Sequence, residues 1–126
     1  MNKIKGNYMN SERFVEIVKE VRDAAIEDTF SFFENPPGRK PRKRHIELSR
    51  WVNALDAENK LMLRELVKEG IDFSLFGLLC AFDGVRKVES GEFKLTYIED
   101  DNESLLNDPD TEDLHDLYNF LIQNEH

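Results

Sequence analysis

The first strong period along the chain runs from Ser11 to about residue 33. There Phe14, Ile17, Val18, Val21 and Ala25 recur at i, i+3, i+4 and i+7 opposite a charged face, the pattern of an amphipathic helix. Asn10 and Ser11 offer side-chain oxygens to its first free N–H groups, and Pro36, followed by Pro37 and Gly38, ends it, because the residue before a proline is driven out of helical geometry. A loop then leads to a second predicted helix, about residues 44–55, with Leu48, Trp51, Val52 and Leu55 on one stripe. Asp56 is placed to cap a third, whose inner face is Leu63, Leu66 and Val67 and whose end is set at Gly70. Asp72 or Ser74 would cap a fourth, reaching Phe82. Its Phe73, Leu75, Phe76, Leu78, Leu79 and Phe82 leave almost no polar face, so it is expected at the centre of the core.

Past Asp83 and Gly84 the period shortens to two. Val85 and Val88 precede a Ser90–Gly91 turn, and Phe93, Leu95 and Tyr97 then alternate with Lys94, Thr96 and Ile98, which predicts a hairpin across that turn. An isolated two-stranded ribbon is marginal in water, so its Phe93, Leu95 and Tyr97 face is expected against the helices. A polar loop from Asp100 to Pro109 leads to a last helix, capped by Asp110 or Thr111 and acidic in its first turn at Glu112 and Asp113. Burying its stripe of Leu114, Leu117, Tyr118, Leu121 and Ile122 is worth roughly 7 to 15 kcal/mol before ordering entropy, enough for a docked helix. The expected fold is therefore α+β and predominantly α. About four N-terminal helices, a β-hairpin and a C-terminal helix packed on the body form one domain over residues 1–126, with residues 1–10 flexible.

A chain of 126 residues, 40% of them apolar, can bury a core without staples. The single Cys80 lies in the apolar run Leu78-Leu79-Cys80-Ala81-Phe82 and reads as a small buried hydrophobe in a reducing, cytoplasmic setting. No apolar stretch follows Lys3 and Lys5, so no secretion signal is expected. The longest uncharged apolar run, Leu75 to Phe82, is far short of the roughly 20 residues that cross a bilayer.

The net charge of minus 9 is unevenly distributed. Arg39, Lys40, Arg42, Lys43 and Arg44 put five positive charges into residues 39–44, leaving minus 14 for the rest, and residues 99–126 hold ten Asp and Glu with no Lys or Arg. Clustered cations release counterions from phosphate backbones, but a remainder of minus 14 repels nucleic acid, and no recognition helix accompanies the run. Asp100, Asp101, Glu103, Asp108, Asp110, Glu112, Asp113 and Asp116 offer oxygens of the kind calcium takes. The EF-hand spacing is missing, however, and no glycine follows Gly91, so no metal or other cofactor is expected. His45, His115 and His126 are dispersed. His115 and Asp116 fall off the apolar stripe of the last helix, so solvent exposure or an edge contact is expected for them rather than catalysis, and His126 is expected to be disordered. Trp51 and the cluster Phe30, Phe32 and Phe33 read as core; only exposed aromatic surface would give them an interface role. No Gly-rich phosphate loop, HExxH or nucleophile elbow is present.

The run from Trp51 to Leu55, then Leu75-Phe76-Gly77-Leu78-Leu79 through Phe82-Asp83-Gly84, then Leu114-His115-Asp116-Leu117 resembles small bacterial domains of unknown function. The immunity proteins of toxin systems include many chains of this size and acidity. The resemblance spans about residues 44–120 and implies no catalytic residues. The functional expectation is a non-enzymatic cytoplasmic protein that binds another, basic protein through its acidic C-terminal half, with Arg39, Lys40, Arg42, Lys43, Arg44, Asp110, Glu112, Asp113 and Asp116 as candidate contacts and a homodimer as one possible state. The alternatives are a nucleic-acid accessory protein using residues 39–44, and a small enzyme with a cleft between hairpin and last helix using Tyr97, Asp83 or His115.

Overall fold

The structure, a computed structural model, describes residues 9–87 and 89–125. Residues 1–8, Val88 and His126, on which the expected N-terminal flexibility, part of the first expected strand and the expected disordered end fall, lie outside the described residues. The order of elements is α1 (Ser11–Glu34), α2 (Lys43–Asn53), α3 (Ala57–Phe82), β1 (Thr96–Glu99), β2 (Asn102–Leu105) and α4 (Leu114–Gln123). The architecture is α+β and predominantly helical. No helix among the described residues is long and apolar enough to cross a membrane.

The chain packs as two compact units. Val21–Phe73 form one, and the described residues up to Glu20 together with those from Ser74 onward form the other. In the Val21–Phe73 unit, the parts of α1 and α3 that belong to it run antiparallel, tied in order by Arg22 to Asp72, Glu27 to Arg64 and Glu34 to Lys60. Asn53 of α2 donates to the Glu34 carbonyl at 3.0 Å and Ser49 to the same oxygen at 3.4 Å, satisfying an end carbonyl that α1 itself leaves open. Phe32, Phe33 and His45 meet edge to face, with ring centroids 4.9 to 5.5 Å apart.

Several sequence expectations change within this unit; Leu66, expected on the inner face of its helix, is 69% exposed. The buried line of α1 is Val15, Arg22 and Ile26, so Val21 lies on the outer face at 58% exposure. Arg22, which a hydrophobic-period reading assigns to solvent, is 2% exposed because its fork is matched by Asp72: Nε to Oδ1 is 2.8 Å and Nη2 to Oδ2 is 2.9 Å. Trp51 is 54% exposed; the inward residues of α2 are Ser49 and Val52. The break expected at Gly70 does not occur. Asp56 caps the helix by accepting the Asn59 N–H at 2.9 Å, and a single helix of 26 residues runs through Gly70 to Phe82. One interior glycine costs only about 1 kcal/mol, which the packing of a long helix outweighs.

The other unit is built on Val15, Leu79, Leu114 and Tyr118, with Phe14, Val18, Leu75, Phe76, Phe82, Leu95, Leu117, Leu121 and Ile122 packed on them. The all-round burial expected for residues 73–82 is not found. Leu79 and Cys80 face inward, while Phe73 and Leu78 are exposed. The helix ends in a paired-bond stop, with Gly84 donating to Ala81 at 3.2 Å and Val85 to Cys80 at 3.0 Å. That geometry requires the left-handed backbone Gly84 adopts, φ +78°. The hairpin also lies later than expected. Thr96–Glu99 pair with Asn102–Leu105 around Asp100 and Asp101, and Ser90–Gly91 belongs to a loop. Asp100 takes φ +55°, a conformation Asp tolerates better than most side chains. Of the face expected to lie inward, Leu95 does, whereas Phe93 and Tyr97 stay 48% and 39% exposed. Asn107 holds this region together. Its side chain accepts the Leu95 N–H at 2.8 Å and donates to the carbonyls of Phe82 at 2.6 Å and Phe93 at 2.8 Å.

Candidate functional site

The C-terminal stop of α3 aims Asp83 at the start of α4. There Asp113 occupies the N-cap position with no side-chain hydrogen bond, and neither Asp110 nor Thr111 takes the expected capping role. Asp83 supplies the cap from a distance. Its Oδ1 accepts the Leu114 N–H at 3.1 Å, and its Oδ2 accepts the His115 N–H at 2.8 Å and lies 2.7 Å from His115 Nδ1. A carboxylate at a helix N-terminus is favoured by the dipole as well as by these donors. The side chain of His115 is 11% exposed and that of Asp83 only 2%, so of the two placements expected for His115 solvent exposure does not hold. The edge of Phe76 covers its ring at 5.5 Å between centroids, and Asp116 Oδ1 lies 3.4 Å from Nε2.

An Asp beside a His is the arrangement that orients an imidazole for proton transfer. Here both Asp83 oxygens accept backbone N–H groups of α4 and Oδ2 also faces the ring, so the carboxylate clasps the start of that helix. Cys80 adds no nucleophile. Burial pushes its thiol above the ordinary range, and the charge of Asp83 pushes it further the same way, so it stays protonated. Asp83, Asp113 and His115 bring three potential ligand atoms within 4.8 Å of one another. The Asp83 oxygens already accept the N–H groups that start α4, so a cation there would share them with the helix cap. No buried side-chain polar atom among the described residues lacks a partner.

Of the nine candidate contacts, the five basic ones belong to the Val21–Phe73 unit and the four acidic ones to the other. Arg39, Lys40 and Arg42 are exposed between α1 and α2; Lys43 and Arg44 are exposed in the first turn of α2, where Arg44 pairs with Glu47 at 3.1 Å. Asp110 and Glu112 are exposed ahead of α4, Asp113 is half-buried at its N-cap and Asp116 is exposed in its first turn. Charge separates sharply between the units. The Val21–Phe73 unit holds ten Lys and Arg against ten Asp and Glu, whereas the described residues of the other hold five against sixteen, a net of minus 11.

One cleft in the acidic unit gives that charge a shape. It encloses about 330 Å³ between the first turns of α1 and the face of α4, with Val15, Leu117, Phe120 and Leu121 as its floor and Glu12, Glu16 and Glu112 as its carboxylates. Glu16 is engaged by Arg13 at 3.2 Å, while Glu12 and Glu112 make no ion pair among the described residues. Phe120 remains 65% exposed at its margin. The sequence reading singled out Glu112 but missed Glu12, Glu16 and Phe120. The available signal was Phe120 standing alone off the apolar stripe of α4. Compared with known protein families, curated proteins and solved structures, the chain matches none.

Proposed function

We propose that this protein is a non-enzymatic binding module whose acidic unit takes a cationic segment of another protein into the cleft of Glu12, Glu16 and Glu112. The carrying observation is the combination in that cleft of an apolar floor with unpaired carboxylates at its edge. A Lys or Arg side chain has the matching form, an apolar stem that covers hydrophobic surface and a charged head that stays at the rim. The net charge of the unit accelerates encounter with a basic partner and disfavours acidic ones. This supports an immunity-type role, in which the module covers a basic functional surface of its target. The buried, protonated Cys80 fits a reducing cytoplasm.

The test is fluorescence anisotropy with a labelled Lys- and Leu-containing amphipathic peptide, at about 20 and about 300 mM salt, beside a Glu-containing peptide of the same length. The expected result is binding of the cationic peptide alone, weakened by salt and lost in the Glu12→Gln/Glu112→Gln double variant. Equal affinity of that variant and the parent protein removes the cleft from the reading. No binding of the cationic peptide at low salt removes the reading itself.

A further inference from the structure

The most exposed apolar surface of the Val21–Phe73 unit lies along one helix. Leu61, Met62, Leu66 and Phe73 of α3 are 64%, 66%, 69% and 75% exposed. Met62, Leu66 and Phe73 follow one another at spacings of four and seven, so they line a single face, whereas Leu61 lies about a third of the way round the helix from it. Gly70 lies beside this line, and a Cβ built there would meet open space. The surface therefore dips between Leu66 and Phe73, where the backbone of another helix can approach closely.

We infer that this face is the contact between two copies of the chain, packed antiparallel so that Met62 of each lies against Phe73 of the other. The area fits. With an aromatic side chain offering on the order of 200 Å² and the aliphatic ones somewhat less, the exposed fractions of Met62, Leu66 and Phe73 amount to roughly 370 Å² per copy. Two copies then contribute about 740 Å², close to the apolar share at the lower end of specific interfaces, which is roughly 60% of about 1,200 Å². The pattern is self-complementary as a two-fold contact demands. Pairing 62 with 73 also sets Leu66 against Glu69 and Glu65 against Gly70, so no carboxylate directly opposes another. Met62 against Phe73 is a favourable sulfur–aromatic contact made twice. The inference does not depend on the acidic cleft, which belongs to the other unit.

Sedimentation velocity on the full chain, from about 1 to about 200 µM, tests it, because interfaces of this size give dissociation constants of micromolar or tighter. The expected result is a concentration-dependent species of twice the 14.8 kDa chain mass. Leu66→Arg should abolish it without changing the far-UV circular dichroism, since Leu66 is 69% exposed. A monomer at every concentration overturns the inference, as does a dimer that survives both Leu66→Arg and Phe73→Arg. Register is read by oxidative cross-linking. An equimolar mixture of Met62→Cys and Phe73→Cys chains should give covalent dimers in higher yield than Met62→Cys alone, and the reverse order overturns the antiparallel pairing.

Discussion

Arg22 and Asp72 offer the sharpest test of what holds the Val21–Phe73 unit together. Arg22 is 2% exposed and meets a carboxylate that is itself 13% exposed, through two hydrogen bonds of 2.8 and 2.9 Å. Its third donor reaches Asp23, whose 50% exposure lets water take over that contact. Replacing Arg22 with Met keeps the apolar stem but leaves Asp72 charged in a desolvated site, and such a broken buried pair costs about 3 to 5 kcal/mol. Asp72→Leu takes the bidentate partner from a buried guanidinium that keeps Asp23, at similar or somewhat lower cost. Against a total stability of about 5 to 15 kcal/mol, either change is severe. The double variant Arg22→Met/Asp72→Leu strands no charge and should lie within about 1 kcal/mol of the parent, because a buried pair and its apolar replacement are nearly equivalent in net energy. Urea unfolding followed by circular dichroism reads this out. With a slope near 2 kcal/mol/M, each single variant shifts the midpoint down by about 1.5 to 2.5 M and the double variant largely restores it. Single variants costing under about 1 kcal/mol, or a double variant as unstable as the sum of the two, would refute the argument that desolvated charge governs this site.

Two further outcomes follow from the acidic unit. Asn107→Ala removes three hydrogen bonds that join the end of α3 to residues 93–95, and at about 1 kcal/mol each the loss should be about 3 kcal/mol in the same urea assay; a change under about 0.5 kcal/mol would show those carbonyls to be satisfied without it. Cys80 has a thiol raised above its unfolded value by burial, so above roughly pH 8.5 the unfolded chain loses this proton before the folded one does. Stability should therefore be intact below that pH and fall as pH rises through the raised folded value. Cys80→Ala should flatten this part of the profile, and an unchanged slope would assign the alkaline loss to other groups.

Much of the helical framework was legible because its signals are local. Asn10 accepts the Arg13 N–H at 2.8 Å as the capping reading required, Asp56 caps α3, Pro36 follows the end of α1 and Gly84 forms the turn after Phe82. The sequence reading failed where partners lie far apart along the chain. Arg22 and Asp72 are 50 residues apart and Asp83 and His115 are 32 apart, so neither pair leaves a periodic trace. A hydrophobic-period argument places polar side chains such as Arg22 and His115 away from the core unless their partners are known. The hairpin was misplaced for a related reason. Ser90–Gly91 has the composition of a turn, but Asn107 satisfies Leu95, and the strands pair instead across Asp100, whose left-handed backbone no composition rule favours over glycine. The acidic cleft needed α1 and α4 side by side, which the packing of Val15 with Leu114 and Tyr118 supplies.

That packing also constrains how the protein is made. Ser11 donates to the carbonyl of Leu106 across 95 residues, and Val15 shares its core with Leu114 and Tyr118. During synthesis the beginning of α1 must wait on the ribosome until nearly all of the described chain has emerged before its apolar side finds cover. The Val21–Phe73 unit draws only on contiguous sequence, so its contacts are available much earlier. Formation of the acidic unit, with its long loop closure, is then the slow and exposure-prone step in maturation.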